Sequence, residues 1–215
     1  MKRVIMCAGA LLLIVLPSAR GQTRGVTAVP VDKQQLAVVP GTNHAAIERK
    51  KDTVCFAYDK YFVIQANHGD VVRTHIVVKR KMAKDAVFPC EYDANPGDYE
   101  VKSGDLGDYS FLGILGDLMF IEDRSRENRR LYIFDLARRM RVFDASYFHE
   151  PAELVDPNHL AFWQTAGDAT RKQCPDDYEE LHEHGMGPTI EQRVVLELHT
   201  FFEDRTHDTR CGFTQ

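Results

Sequence analysis

Residues 1–21 set the conditions under which the rest of this chain folds. Lys2 and Arg3 give a short positive start, residues 4–16 form an uncharged apolar run, and Pro17-Ser18-Ala19-Arg20-Gly21 supplies small residues at a cleavage site. This is the layout of a secretory signal peptide. A membrane-spanning helix needs about 20 apolar residues. The 4–16 run falls short of that, and no other stretch approaches it. Cleavage after Gly21 would leave Gln22 as the mature N-terminus, with no stable membrane span. Cys7 sits early in the apolar run, away from the position a lipoprotein would use. The expectation is a periplasmic or secreted protein whose cysteines meet an oxidising compartment.

Processing also changes the charge. The full chain has 27 Lys+Arg and 32 Asp+Glu. Residues 1–21 hold Lys2, Arg3 and Arg20 and no acid, so the mature chain would carry 24 basic against 32 acidic residues, a net charge of −8. Such a balance excludes nucleic-acid binding through bulk charge and is compatible with a basic partner.

The length suits one core. No aromatic residue occurs between Gln22 and Val54. Without aromatics, that stretch buries too little apolar surface to offset its ordering entropy. Three parts follow: a signal peptide at 1–21, an extended or flexible arm at 22–52, and a disulfide-clipped β domain at 53–215. Within the arm, the runs 26–31 and 36–39 are the segments able to lie along the domain as edge strands. Four cysteines remain after processing, Cys55, Cys90, Cys174 and Cys211, and they allow three pairings. The pairing favoured here is Cys55–Cys90 with Cys174–Cys211, one clip at each end of the domain. Each closed loop would contribute roughly 3–4 kcal/mol in the chain-entropy picture. No CxxC spacing suggests structural zinc.

The body of the chain reads as short strands. Segments 54–58, 61–64, 71–78, 118–121, 131–134, 141–147 and 160–163 are rich in β-branched and aromatic residues and are separated by turn text, and 194–198 closes the domain. Segments 118–121 and 131–134 are apolar on both faces, as central strands of a layered structure are. One helix is expected with Pro175 in its first turn, Asp176 and Asp177 at its positive end and Gly185 just past its C-terminus. The fold class is therefore mainly β: a single antiparallel sandwich- or barrel-like domain with one short helix near the C-terminus.

Chemistry-bearing patterns are sparse. HExxH, GxSxG and GxxxxGK[ST] are all missing. His182 and His184 point to nearly opposite sides of a helix, so a metal site would need them to meet His199 or His207 in space. The acidic text Asp93-Ala94-Asn95-Pro96-Gly97-Asp98 lacks the calcium-loop pattern and is what tight turns use. Seven arginines, Arg124, Arg126, Arg129, Arg130, Arg138, Arg139 and Arg141, make the strongest local charge asymmetry. They form either a patch for an anionic partner or the solvated ends of hairpins held by cross-strand ion pairs. Trp163, the one tryptophan, sits next to Phe162 and is expected in the core. On the surface it would instead mark a recognition site.

Several stretches together, Gly116 to Ile121, Arg130 to Leu136, Leu160 to Trp163, Cys174-Pro175 and Leu196-Glu197-Leu198, resemble a group of small exported bacterial β-rich proteins with no established activity. The resemblance implies fold and compartment and lends no site residues. Two functional expectations follow. One is an exported, non-enzymatic binding or accessory protein, an enzyme inhibitor or an envelope factor, acting on a protein or envelope component without a cofactor. Lysozyme inhibitors share this profile, although their diagnostic motifs are not found here. The other is an envelope hydrolase using a carboxylate pair or a histidine-bound metal.

Overall fold

The structure is a computed structural model, and it describes residues 46–67, 74–103, 108–124, 129–147, 150, 152–176 and 178–214. The leader at 1–21 and the arm runs 26–31 and 36–39 lie outside these residues.

Three antiparallel sheets follow one another along the chain, each a simple meander. The first contains β1 (Ala46–Arg49), β2 (Thr53–Ala57), β3 (Tyr61–Asn67), β4 (Thr74–Arg80) and β5 (Tyr99–Lys102). The second contains β6 (Tyr109–Leu115), β7 (Leu118–Asp123), β8 (Arg129–Asp135) and β9 (Met140–Tyr147). The third contains β10 (Glu153–Asp156), β11 (His159–Asp168), β12 (Gly187–Glu197) and β13 (Phe202–Thr214). The helix α1 (Tyr178–Glu183) lies in the connection between β11 and β12. The mainly β, sandwich-like reading holds, with the chain divided into stacked sheets.

The second sheet is the middle layer, and its strands alternate between two cores. Met119, Ile121, Tyr132 and Phe134 pack with Phe56, Val63, Ile76 and Val78 of the first sheet. Phe120, Leu131, Ile133 and Tyr147 pack with Leu160, Phe162, Val194 and Leu196 of the third. This is why 118–121 and 131–134 lack a polar face: both sides of the pleat are covered. The two-residue turn Gly116-Asp117 between β6 and β7 needs a left-handed residue, and Gly116 supplies it at φ 62°.

The outer face of the first sheet is covered by the 81–98 connection. Phe88 and Tyr92 pack there against Cys55, Phe62, Ile64, Val77 and Cys90. The disulfide Cys55–Cys90 fastens that cover, and Cys174–Cys211 fastens the α1 connection to β13. Both pairs match the pairing favoured from the sequence. The acidic turn 93–98 is also structural: Asp98 accepts from the Asn95 amide and from Lys79 Nζ at 2.7 Å. Lys79 is buried, and Asp98 is its counter-charge.

Helix α1 ends as its glycine anticipated. Gly185, at φ 72°, sends its amide to the His182 carbonyl, and Met186 reaches back to the Leu181 carbonyl. That pair of bonds satisfies carbonyls a helix end leaves open. Two elements were not anticipated. Ala46–Arg49, within the expected arm, pairs with β2 as an edge strand. The domain closes on β13 and not at 194–198, because β13 adds a long strand whose text is polar on both faces.

Candidate functional site

Strand alternation in the third sheet puts Trp163 on the face opposite to Phe162. Phe162 is fully buried against the middle sheet, whereas Trp163 is half-buried on the outward face. Trp163 lies directly opposite Arg193, and Glu191 lies opposite Arg210. All four therefore share that outward face. The Arg210 guanidinium sits 4.2 Å from the centroid of the Trp163 ring. Its Nε donates to Glu191 at 2.6 Å, and its Nη1 reaches Glu150 at 2.6 Å. One cation thus engages one oxygen of a buried carboxylate, an exposed carboxylate and an aromatic face.

Glu191 is 1% exposed, which only a well-partnered carboxylate tolerates. Space for it comes from Gly212 on β13, where a Cβ would overlap the Glu191 side chain. Around this centre Arg193 pairs with Glu153 at 3.2 Å and with Asp208 at 3.9 Å. The result is an aromatic ring held rigid under a planar cation, with polar groups at the rim. This composition is typical of protein recognition surfaces. Sequence reasoning placed Trp163 in the core because the text Leu-Ala-Phe-Trp is apolar throughout. The clue to its true side was the two-residue alternation running from Leu160 through Phe162.

The six described arginines of the cluster do not assemble into one surface. Arg129 donates to the fully buried Glu122 at 3.1 Å, and Arg124 and the Tyr147 hydroxyl bond the same carboxylate. This group lies on the side of the middle sheet that faces the third. Arg130 and Arg141 lie on the opposite side, where they share Asp144 at 2.6 and 3.4 Å. Both also stack on Tyr132, at 5.8 and 5.2 Å from its centroid. Arg138 pairs with Asp135 at 3.5 Å in the turn after β8. Arg139, left-handed at φ 57°, donates to the carbonyls of Gly97 and Asp98 and covers Tyr99. Arg126 lies outside the described residues. The described six make local, cross-strand and longer-range ties, distributed over two faces and both hairpin ends.

The histidines are likewise dispersed. His182 stacks on Tyr178, and Nδ1 of His184 lies 2.7 Å from the Glu180 carbonyl oxygen. Both precede β12, whereas His199 follows it. Eleven extended residues separate the two ends of that strand by about 30 Å. His207 lies on β13. Among the described residues no group of three or more His, Cys, Asp or Glu side chains is placed to hold a metal ion.

Burial and hydrogen bonding shift several ionisable groups. Burial, followed by its hydrogen bond to Asp117, pushes the Tyr61 hydroxyl up to about 12. That same hydrogen bond, 2.8 Å long, holds Asp117 below the usual carboxylate range. Burial beside Glu122 raises Tyr147 well above an ordinary phenol. Glu100 is held low despite burial, by hydrogen bonds from Tyr92 and Lys102.

No protein-family model, characterised protein or solved structure matches this chain. The resemblance carried by the strand text therefore lends it neither an activity nor a residue role.

Proposed function

We propose that this chain is an exported, non-enzymatic binding or accessory protein, such as an enzyme inhibitor or an envelope factor, that recognises a protein through the outward face of its third sheet. The observation carrying this reading is the position of Trp163, half-buried on a terminal sheet and fixed beneath Arg210. Tryptophan and arginine dominate binding hot spots, and a preorganised pair loses little side-chain entropy on association. Two disulfides support the oxidising compartment implied by the apolar leader. Among the described residues no helix is long and apolar enough to cross a membrane.

The experiment is affinity capture with the oxidised chain, challenged with envelope extract and a panel of lysozymes. Parent, Trp163→Ala and Arg193→Glu baits are compared by mass spectrometry. A partner held by the parent and lost with both variants locates the face. A partner retained equally by all three moves recognition elsewhere, and no partner across the panel removes the inhibitor reading.

A further inference from the structure

We propose that the loop tip formed by residues 80–87, with the adjoining turn at 58–60, docks on an anionic lipid surface. Met82 is 95% exposed and Val87 92%, the two most exposed large apolar side chains among the described residues. A turn closed by the Ala86 amide on the Ala83 carbonyl, at 3.0 Å, lies between them, so they leave it on either side. Singly scattered apolar side chains on a surface need no explanation. Here two flank one turn, and cations surround them.

Arg80, Lys81 and Lys84 belong to the same loop, and Lys60 to the neighbouring turn. Against them stand Asp59 and Asp85, together with Asp117, which pairs with Lys60 at 3.3 Å and leaves one cation in excess. The tip is thus locally positive in a chain whose net charge is −5. Lys84 pairs with Asp59 at 3.0 Å, but the two side chains are 79% and 67% exposed, so the pair is weak and exchangeable. The two turns are joined by the Lys81 amide on the Lys60 carbonyl at 2.8 Å and by Lys81 Nζ on the Tyr58 carbonyl at 3.3 Å.

The root of the loop is firm. Phe88 packs on Phe62 with ring centroids 5.5 Å apart, and Cys90 is clipped to Cys55. Apolar groups are therefore held out into water by a fixed base. A protruding tip with this chemistry suits a bilayer. The fluid interface closes around the apolar side chains while the ammonium groups meet lipid phosphates. A folded protein partner would need a matching cavity for each projection. This tip extends from β4 of the first sheet and Trp163 lies on the third, so the two surfaces stand independently of each other.

The test is vesicle binding by the oxidised full chain, on phosphatidylcholine alone and on phosphatidylcholine with phosphatidylglycerol. Residues 4–16 are common to every variant, so differences between variants belong to the tip. Lys81→Glu/Lys84→Glu should weaken partitioning to the anionic vesicles about tenfold or more. Met82→Asp/Val87→Asp should weaken it about tenfold. The same charge change at Arg171→Glu/Lys172→Glu should alter it about twofold or less. Met82→Trp reports depth: its emission, after subtraction of the parent's Trp163 signal, should shift to the blue on anionic vesicles. Equal binding to both vesicle types, tip variants no weaker than the Arg171/Lys172 control, or no blue shift would overturn the proposal. So would capture of an acidic soluble protein without vesicle binding.

Discussion

Arg210 covers the Trp163 ring at 4.2 Å while its Nε holds the buried Glu191 carboxylate at 2.6 Å. The stack and the ion pair share one guanidinium, so the outward aromatic face and sheet stability are coupled there. Arg210→Leu leaves Glu191 buried without that cation, and a cost of roughly 3 kcal/mol is expected. The double variant Arg210→Leu/Glu191→Leu should recover most of the loss, since replacing a whole buried pair with apolar groups is often neutral. Urea midpoints of parent, single and double variants decide it. A double variant no better than the single one would mean the pair is not the source of the loss.

Gly212 supplies an independent check of the same packing. Gly212→Ala places a methyl group where the buried Glu191 side chain runs. A loss of about 1–3 kcal/mol is expected. Gly212→Ala combined with Glu191→Ala should cost less than the sum of the two separate changes. Additivity in that cycle would show that the two positions do not compete for space.

How much of this was legible follows from where each signal resides. β7 and β8 could be read directly because both of their faces are buried, and apolar text survives any register. The cysteine pairs were legible because each closes a loop of similar, moderate span at one end of the domain. β13 was not, since an outer strand with charged side chains carries no apolar periodicity, and charge is how an edge discourages pairing with other chains. Glu122 and Glu191 look like any other acids in the text. Their burial depends on Arg129 and Tyr147, or on Arg210 and Gly212, which only strand pairing brings beside them. The arginine cluster was visible as composition, yet successive residues of a strand face opposite ways, so Arg129 and Arg130 serve different sides of the middle sheet.

The Glu122 group should respond differently from the Arg210 site. Tyr147→Phe removes one donor to a fully buried carboxylate but keeps the ring in its core position. Arg124 and Arg129 continue to neutralise the charge. The expected loss is about 1–2 kcal/mol by chemical denaturation, with an unchanged denaturant slope. A loss comparable to Tyr147→Ala would show that packing and not the hydroxyl is being read.

The two disulfides should separate kinetically. Cys55 and Cys90 are each 1% exposed, under the 81–98 cover. Cys174 is equally buried, but its partner Cys211 is part-exposed on the outer strand of the third sheet. Attack by a thiolate requires access to a sulfur. Cys174–Cys211 should therefore open first under limiting reductant in the folded state, and alkylation followed by peptide mass spectrometry identifies the modified pair. Their loop spans, 35 and 37 residues, are nearly equal, so Cys→Ala pairs at either site should have similar chain-entropy costs of roughly 3–4 kcal/mol. The difference lies in rate alone.

The Tyr61–Asp117 bond ties the β2–β3 hairpin to the β6–β7 turn, and its titration gives stability two opposite limbs. Asp117 has its folded pKa lowered, first by the Tyr61 hydroxyl and then by Lys60 against some burial, so its contribution is complete above the unfolded value near 4. That contribution is lost as pH falls through the folded value. Glu100, held low by Tyr92 and Lys102 against its burial, adds to the same acid limb. Tyr61 is shifted the other way, to about 12. Its contribution is complete below the ordinary phenol value of about 10 and is lost as pH rises from there through about 12. Asp117→Asn should flatten part of the acid limb, and Tyr61→Phe part of the alkaline one. Urea midpoints measured from about pH 7 down to 3, and from about pH 9 up to 11, separate the two effects. Variants whose slopes match the parent on both limbs would show that this inter-sheet bond does not govern the pH response.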